Sequence, residues 1–250
     1  MEVNENGSAK RAEGNGGKSY SDSLKLRAEQ VRQFALFEGI PLEDTSKILA
    51  TAYQRRYSPG KTLFFEGDPV RQIILLTGGC VKLSQTGPLG QEVILRLAGE
   101  GEILCTECFA GCYHCSTAQC MKASTALVWE IGQFQAVVDR FSSLGRNISC
   151  VLLKTLNQLE IRFREICTER VATRLSSELV RLAKQVGQRS NGHIEIAISQ
   201  RDLARMTGTT LFSVSRILGQ WEEQGMVKPH RQGVVILDVA ALENLSHIDS

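Results

Sequence analysis

The sequence predicts an α+β chain in which a turn-rich β-roll comes first, one long helix follows, and a helix-turn-helix with a wing closes the chain. Three observations predict it. Short apolar segments separated by turn signals fill residues 57–131. An apolar stripe at three- and four-residue steps runs from Ile148 to Ile166. The stretch from Gln200 to Met226 meets the spacing constraints of two helices crossing at a tight turn.

Taken in order, Met1 to Ser23 is rich in Gly, Asn, Ser, Glu and Lys and nearly free of apolar residues, so residues 1–23 are expected to form a disordered tail. Residues 24–142 read as one β-roll domain. It opens with Leu24, Ala28, Val31, Phe34, Ala35 and Phe37 at helical spacing, broken near Gly39 and Pro41, and a second helix is expected over Glu43 to Tyr53. The period then changes. Thr62 to Phe65, Ile73 to Leu76, Val81 to Ser84, Val93 to Leu97 and Ala126 to Ile131 read as strands, punctuated by Pro59-Gly60, Gly67-Asp68, Gly78-Gly79, Gly87-Pro88 and Gly99 to Gly101. Strands at such intervals argue for an antiparallel β-roll or jelly roll, although a sandwich of that length gives the same pattern.

After Phe134 the pattern turns helical. Over residues 143–167, Ile148, Leu152, Leu156, Leu159, Phe163 and Ile166 share one face, a stripe fit for the same helix of a second copy; packing on its own domain is the other use. Residues 168–250 read as a winged helix-turn-helix domain. It starts with a helix over Glu169 to Val186 that turns Val171, Leu175, Leu179, Leu182 and Ala183 inward and closes at Gly187 to Gly192.

Ser199 is placed to cap a helix whose N3 residue is Asp202. Ala204 must be small where a second helix crosses, and Gly208 accepts the positive φ of the turn. Val214 and Ile217 are the buried aliphatics of a recognition helix expected over Leu211 to Gln224, completed by Leu211, Leu218 and Trp221. Phe212, Ser213, Ser215, Arg216 and Gln220 face outward, and Arg216 is the residue for a bidentate contact to a guanine edge. Ser199, Gln200, Thr209, Thr210 and Ser215 can meet phosphates or bases. Beyond Gly225 a basic turn carrying Lys228, His230 and Arg231 leads into the apolar strand Val234 to Leu237, as a β-wing along a DNA backbone would.

The formal net charge of +2 leaves DNA binding to this local basic patch rather than to a bulk field. No apolar run reaches the roughly 20 residues of a spanning helix, so no membrane contact is expected. The N-terminus lacks a charged start followed by an apolar core, so a cytoplasmic address is expected. An enzyme is not expected: there is no phosphate-cradling glycine loop, nucleophile elbow or zinc-protease helix motif.

The order of β-roll, long helix and winged helix-turn-helix resembles the Crp/Fnr family of bacterial transcriptional regulators, most specifically over Ile198 to Met226, ISQRDLARMTGTTLFSVSRILGQWEEQGM. The resemblance implies a cyclic-nucleotide-binding-like β-roll, a homodimer on two-fold symmetric double-stranded DNA, RNA polymerase as a partner, and an activator or repressor role. It also implies Ser215-Arg216 as the base-reading pair. Two departures matter. Many members carry a glutamate three residues before that serine, where this chain has Phe212. In the β-roll, Gly101-Glu102-Ile103-Leu104 matches the opening of the effector cassette, but Cys105-Thr106 replaces its gripping Gly-Glu pair. His114 to Ala118 contains no arginine for a cyclic phosphate, so cyclic AMP is not the expected ligand, although Gly101 and Glu102 mark the effector pocket.

In place of that cassette stand Cys105, Cys108, Cys112, Cys115 and Cys120, spaced C-x2-C-x3-C-x2-C-x4-C. In a reducing compartment such thiols serve as metal ligands, redox groups or packed side chains rather than structural disulfides. Their tight spacing fits an iron-sulfur cluster better than a zinc ribbon. The family's oxygen sensor takes most of its ligands from an N-terminal cysteine group that this chain lacks. Its carbon-monoxide sensor instead suggests haem, with Cys105 as axial ligand and His114 as a second. A thiol-disulfide switch with no cofactor, or a cyclic-nucleotide-like effector, completes the alternatives. A rival class is a redox or metal protein whose helix-turn-helix makes only protein contacts. Cys80, Cys150 and Cys167 read as packing.

Overall fold

In the computed structural model, which describes residues 16–105, 113–190 and 192–247, two hydrophobic cores are joined by one long helix. The first helix, α1 (Gly16–Val31), is followed by a single 3-10 turn at Ala35–Phe37 and by α2 (Leu42–Leu49). The expected boundary of the disordered tail at Ser23 therefore falls inside a helix. Ala28 and Val31 are buried in the first core, and a helix nucleated there extends outward at little further cost, since elongation adds a hydrogen bond for each residue fixed.

Eight strands make the β-roll: β1 (Tyr53–Tyr57), β2 (Thr62–Phe64), β3 (Gln72–Gly78), β4 (Val81–Thr86), β5 (Glu92–Ala98), β6 (Ile103–Leu104), β7 (Thr117–Cys120) and β8 (Ser124–Glu130). They form two antiparallel sheets in the orders β1-β8-β3-β6 and β2-β7-β4-β5. The helix expected to reach Tyr53 stops at Leu49, and Tyr53 begins a strand instead. Four of the five β1 residues are exposed, so no alternation marks them; pairing with β8, from Tyr53 opposite Val128 to Tyr57 opposite Ser124, supplies their backbone partners. Trp129 fills the centre of this core, and its indole N–H donates to the Ile48 carbonyl at 3.3 Å and Thr51 Oγ1 at 3.1 Å.

Two helices follow, α3 (Ile131–Arg140) and the long α4 (Ser142–Thr168). The start of α4 belongs to the β-roll: Leu144 and Ile148 are buried in its core, and Asn147 Nδ2 donates to the carbonyls of Leu36 at 3.0 Å and Glu38 at 2.8 Å. Ile148 is thus removed from the expected partner-facing stripe. From Leu152 onward the stripe has no cover: Leu152, Leu156, Leu159, Phe163 and Ile166 are all exposed, Phe163 by 71%. Among the described residues no helix is long and apolar enough to cross a membrane.

The C-terminal domain contains α5 (Val171–Gln185), β9 (Gln188–Ser190), β10 (His193–Ile196), α6 (Gln200–Thr207), α7 (Leu211–Glu223), β11 (Val227–His230), β12 (Gly233–Ile236) and α8 (Val239–His247). Where the sequence predicted only a closing turn over Gly187 to Gly192, a hairpin pairs His193 with Ser190, and the sheet has the order β11-β12-β10-β9. Its three β9 residues are exposed, so the hairpin left no apolar mark. Leu175, Leu179 and Leu182 are fully buried beneath α6, α7 and α8, each such side chain contributing about 1.5–3 kcal/mol.

This second core also takes in Cys80, Ile94 and Leu97 of the β-roll. Around that contact Arg205 of α6 pairs with Glu92 of β5, Lys82 reaches the same carboxylate at 2.7 Å, and Gln185 Nε2 donates to the Leu97 carbonyl at 2.7 Å. Burial pushes the Glu92 carboxyl up, but Lys82, Ser84 and Arg205 together outweigh it and leave the group below its ordinary value.

Candidate nucleic-acid interface and sensor segment

Each helix of the pair is started by a side chain. Ser199 Oγ accepts from the Asp202 N–H at 3.1 Å to open α6, and Thr210 Oγ1 accepts from the Ser213 N–H at 3.1 Å to open α7. Between them Gly208 stands at φ 61°, ψ 44°, and the N–H groups of Gly208 and Thr209 turn back to the Ala204 carbonyl. Ala204 is buried where the helices cross. Val214, Ile217, Leu218 and Trp221 hold α7 on the domain.

The opposite side of α7 is open. Phe212, Ser215, Arg216 and Gln220 are exposed, and so is Leu211, which was expected to be buried; it occupies the first helical position, beyond the reach of the core. The hydroxyls expected to meet DNA divide into two groups. Those of Ser199, Thr210 and Ser213 are engaged in capping: Ser199 Oγ also bonds Asp202 Oδ2 at 2.7 Å, and the Thr210 and Ser213 hydroxyls lie 3.0 Å apart. Ser215 points outward, while Gln200 and Thr209 are half-buried. Lys228 on β11 and Arg231 at the β11-β12 turn are exposed. An exposed cation that sequence reasoning passed over is Arg201, in the first turn of α6 beside Gln200. A short capped helix with an open polar and basic face, flanked by a two-stranded basic turn, has the shape and charge to enter a DNA major groove with the hairpin along a phosphate strand.

In the β-roll the residues expected to form the effector site are divided between two cavities. Cys105 and His114 line one of about 380 Å³ together with Phe64, Asp68, Arg71 and Gln72. Cys105 is buried and has φ 67°, the one described residue other than glycine in the left-handed region. The His114 ring stacks on Phe64 with centroids 3.7 Å apart. Gly101 and Glu102 instead line a cavity of about 400 Å³ between the β-roll, α4 and α5. There the Glu102 carboxylate takes Arg96, Gln185 Nε2 and the Gly99 N–H, so its hydrogen-bonding capacity is used within the chain. Gly101, at φ 84°, leaves no room for a side chain: a Cβ would stand 2.9 Å from the Phe34 ring.

Of the five cysteines proposed as ligands, Cys108 and Cys112 lie outside the described residues. Cys115 is exposed, whereas Cys120 packs in the β-roll core. Burial raises the Cys120 thiol above its ordinary value and pushes that of Cys80 up to about 11, so both stay protonated at neutral pH and behave as small apolar side chains. Among the described residues no three of His, Cys, Asp and Glu stand close enough to hold a metal ion.

Residues 170–245 match the family profile described as the Crp-like helix-turn-helix domain, and residues 54–141 match that of the cyclic nucleotide-binding domain. The chain is 26% identical over 212 residues to the cyclic AMP receptor protein of Thermus thermophilus, an alignment covering 84% of this chain and 96% of that protein. It is 26% identical over 194 residues to the global nitrogen regulator of Synechococcus elongatus, covering 75% and 86% respectively. The fold is shared with FixK2 from Bradyrhizobium japonicum (TM-score 0.71, 18% identity, 80% of this chain and 99% of that one). It is shared too with TTHA1359 from Thermus thermophilus (TM-score 0.69, 17% identity, 79% and 100%).

The turn between α6 and α7 gives a direct test. No atom lies within 4 Å of a Cβ built on Gly208, so replacing it costs conformational energy alone. Gly208→Val is expected to lower stability by about 1–2 kcal/mol or more in urea unfolding, and Gly208→Asn by clearly less, because Asn tolerates the left-handed region.

Proposed function

The chain belongs to the Crp/Fnr family of DNA-binding transcriptional regulators, and from that premise we propose that it acts as a cytoplasmic homodimer whose two α7 helices read successive major grooves of an operator. The observation that carries this reading is the open face of α7, where Arg216 stands exposed opposite four buried anchors. The guanidinium fork of Arg216 matches O6 and N7 of guanine, Ser215 supplies a hydroxyl beside it, and Lys228, Arg231 and Arg201 neutralise phosphates. RNA polymerase is the proposed partner once the dimer is on DNA.

The bare stripe from Leu152 to Ile166 supports the homodimer. A row of exposed Leu, Ile and Phe on one helix face is unfavourable in water, and the same row on a second copy buries it.

For the sensor we propose an iron-sulfur cluster held by Cys105, Cys108, Cys112 and Cys115. Four thiolates are the number such a cluster takes, and these four stand in one run of sequence, whereas Cys120 lies on strand β7. When bound, the cluster supplies reversible one-electron chemistry and sensitivity to oxidants. A second reading, haem, has a specific observation behind it: Cys105 and His114 share the wall of one cavity. In either case Cys105 directly follows β6, which starts just after Glu102, and Glu102 contacts Gln185 at the end of α5. A change at Cys105 thereby reaches the DNA-reading domain through three residues of backbone and one side-chain contact.

Arg216→Ala is expected to cost about 1–3 kcal/mol in operator binding and to relax the preference at one base pair in each half-site, measured by titration of labelled duplexes. Wild-type affinity should fall steeply with salt, and a flat salt dependence would remove the DNA reading. Leu156→Glu should give a monomer in sedimentation velocity and weaken binding by roughly 10²-fold or more, as two linked half-site contacts become one. For the sensor, an anaerobic absorption spectrum with iron and sulfide analysis separates the readings. Iron with equimolar sulfide, lost in Cys105→Ser and kept in Cys120→Ser, supports the cluster; a Soret band with no sulfide supports haem, and neither signal removes both.

A further inference from the structure

Phe212 stands out on the groove-facing side of α7. It is 77% exposed in the first turn of the helix, with its neighbour Leu211 at 45%. The side chains that hold α7 in place, Val214, Ile217, Leu218 and Trp221, lie on the other side, so Phe212 adds nothing to the fold. On a helix, residues three and four apart share a face, which sets Phe212 beside Ser215 and Arg216. What covers such a ring must suit its surroundings, which are polar and basic: Arg216, Ser215 and the N-terminal end of α7. That setting complements a polyanionic groove. Two apolar side chains alone make too small a patch for a protein partner.

An aromatic ring neither accepts from cytosine N4 nor donates to a guanine or adenine acceptor. On the major-groove edge of the four base pairs the one apolar group is the 5-methyl of thymine. We infer that Phe212 is a specificity-determining residue that packs on a thymine methyl in each half-site, within one or two base pairs of the guanine contacted by Arg216. The spacing follows from the helix. Side chains four apart begin about 5–6 Å from one another, and base pairs stack every 3.4 Å. This inference rests on the DNA reading of α7 and assigns its second base.

The test uses full-length wild-type protein to select duplexes from a random pool and then replaces each thymine of the selected half-site by deoxyuridine, which removes the methyl and nothing else. One replacement, within two base pairs of the Arg216-dependent guanine, should weaken wild-type binding about 4-fold, the effect of one buried methyl. Phe212→Ala, harmless to the fold at so exposed a position, should bind the thymine and uridine forms equally. Phe212→Glu should shift selection at that position from thymine to cytosine. If uridine has no effect on the wild type, or the same effect on wild type and Phe212→Ala, the inference is overturned while the Arg216 dependence leaves the DNA reading intact. If wild-type protein selects no duplex at low salt, both fall together.

Discussion

The relation between the two halves of the molecule rests on a small set of charges where α4 gives way to α5. Arg181 forks onto Glu165 of α4 with contacts of 2.8 and 2.7 Å, and it also reaches Glu178, which Arg162 of α4 contacts at 3.0 Å from the other side. Glu165 and Glu178 are buried, so neither has water to fall back on. Such a network adds little net stability compared with apolar packing, yet removing one member is costly because it strands a charge. Its consequence is geometric: α5 has one favoured direction relative to α4. Arg174 extends the restraint by donating to the carbonyls of Glu169 at 2.9 Å and Thr207 at 3.1 Å, which ties the start of α5 to the end of α6.

Around that junction apolar surface is partly buried and partly bare. The first turns of α4 are anchored in the β-roll through Leu144, Asn147 and Ile148, and only beyond them does its apolar side lie bare. The second core draws in Ile94 and Leu97 from β5, and Gln185 bonds both the Leu97 carbonyl and Glu102. The β-roll and the helix-turn-helix domain therefore touch along a mixed apolar and polar seam next to the strand that leads to Cys105.

The helix-turn-helix was legible almost residue by residue. Its constraints are local: the Ser199 cap, the left-handed Gly208 and the small Ala204 act over four residues or fewer, so their side-chain chemistry is written beside its effect, whereas Thr210, read as a DNA contact, caps the second helix instead. The exposed Tyr53–Tyr57 strand and the Gln188–Ser190 hairpin were not legible, because their backbone partners come from residues distant in sequence or from a polar edge with no alternation. The same holds for the cysteine run. Its spacing groups five thiols, but the fold sends Cys120 into the core on β7, leaves Cys115 exposed, and separates Gly101 and Glu102 from Cys105 by the short β6.

The sequence by itself determined the order of the parts and the second helix of the helix-turn-helix with most of its outward residues. Those features depend on periodicity, capping and residue identity, which are properties of neighbours along the chain. Tertiary structure alone decided that Ile148 faces inward while Leu152 to Ile166 do not, and that Glu102 is bound to Gln185 and Arg96. A side chain's free hydrogen-bonding capacity and uncovered surface are what remain after every distant contact has been made, and no local rule can subtract those contacts in advance.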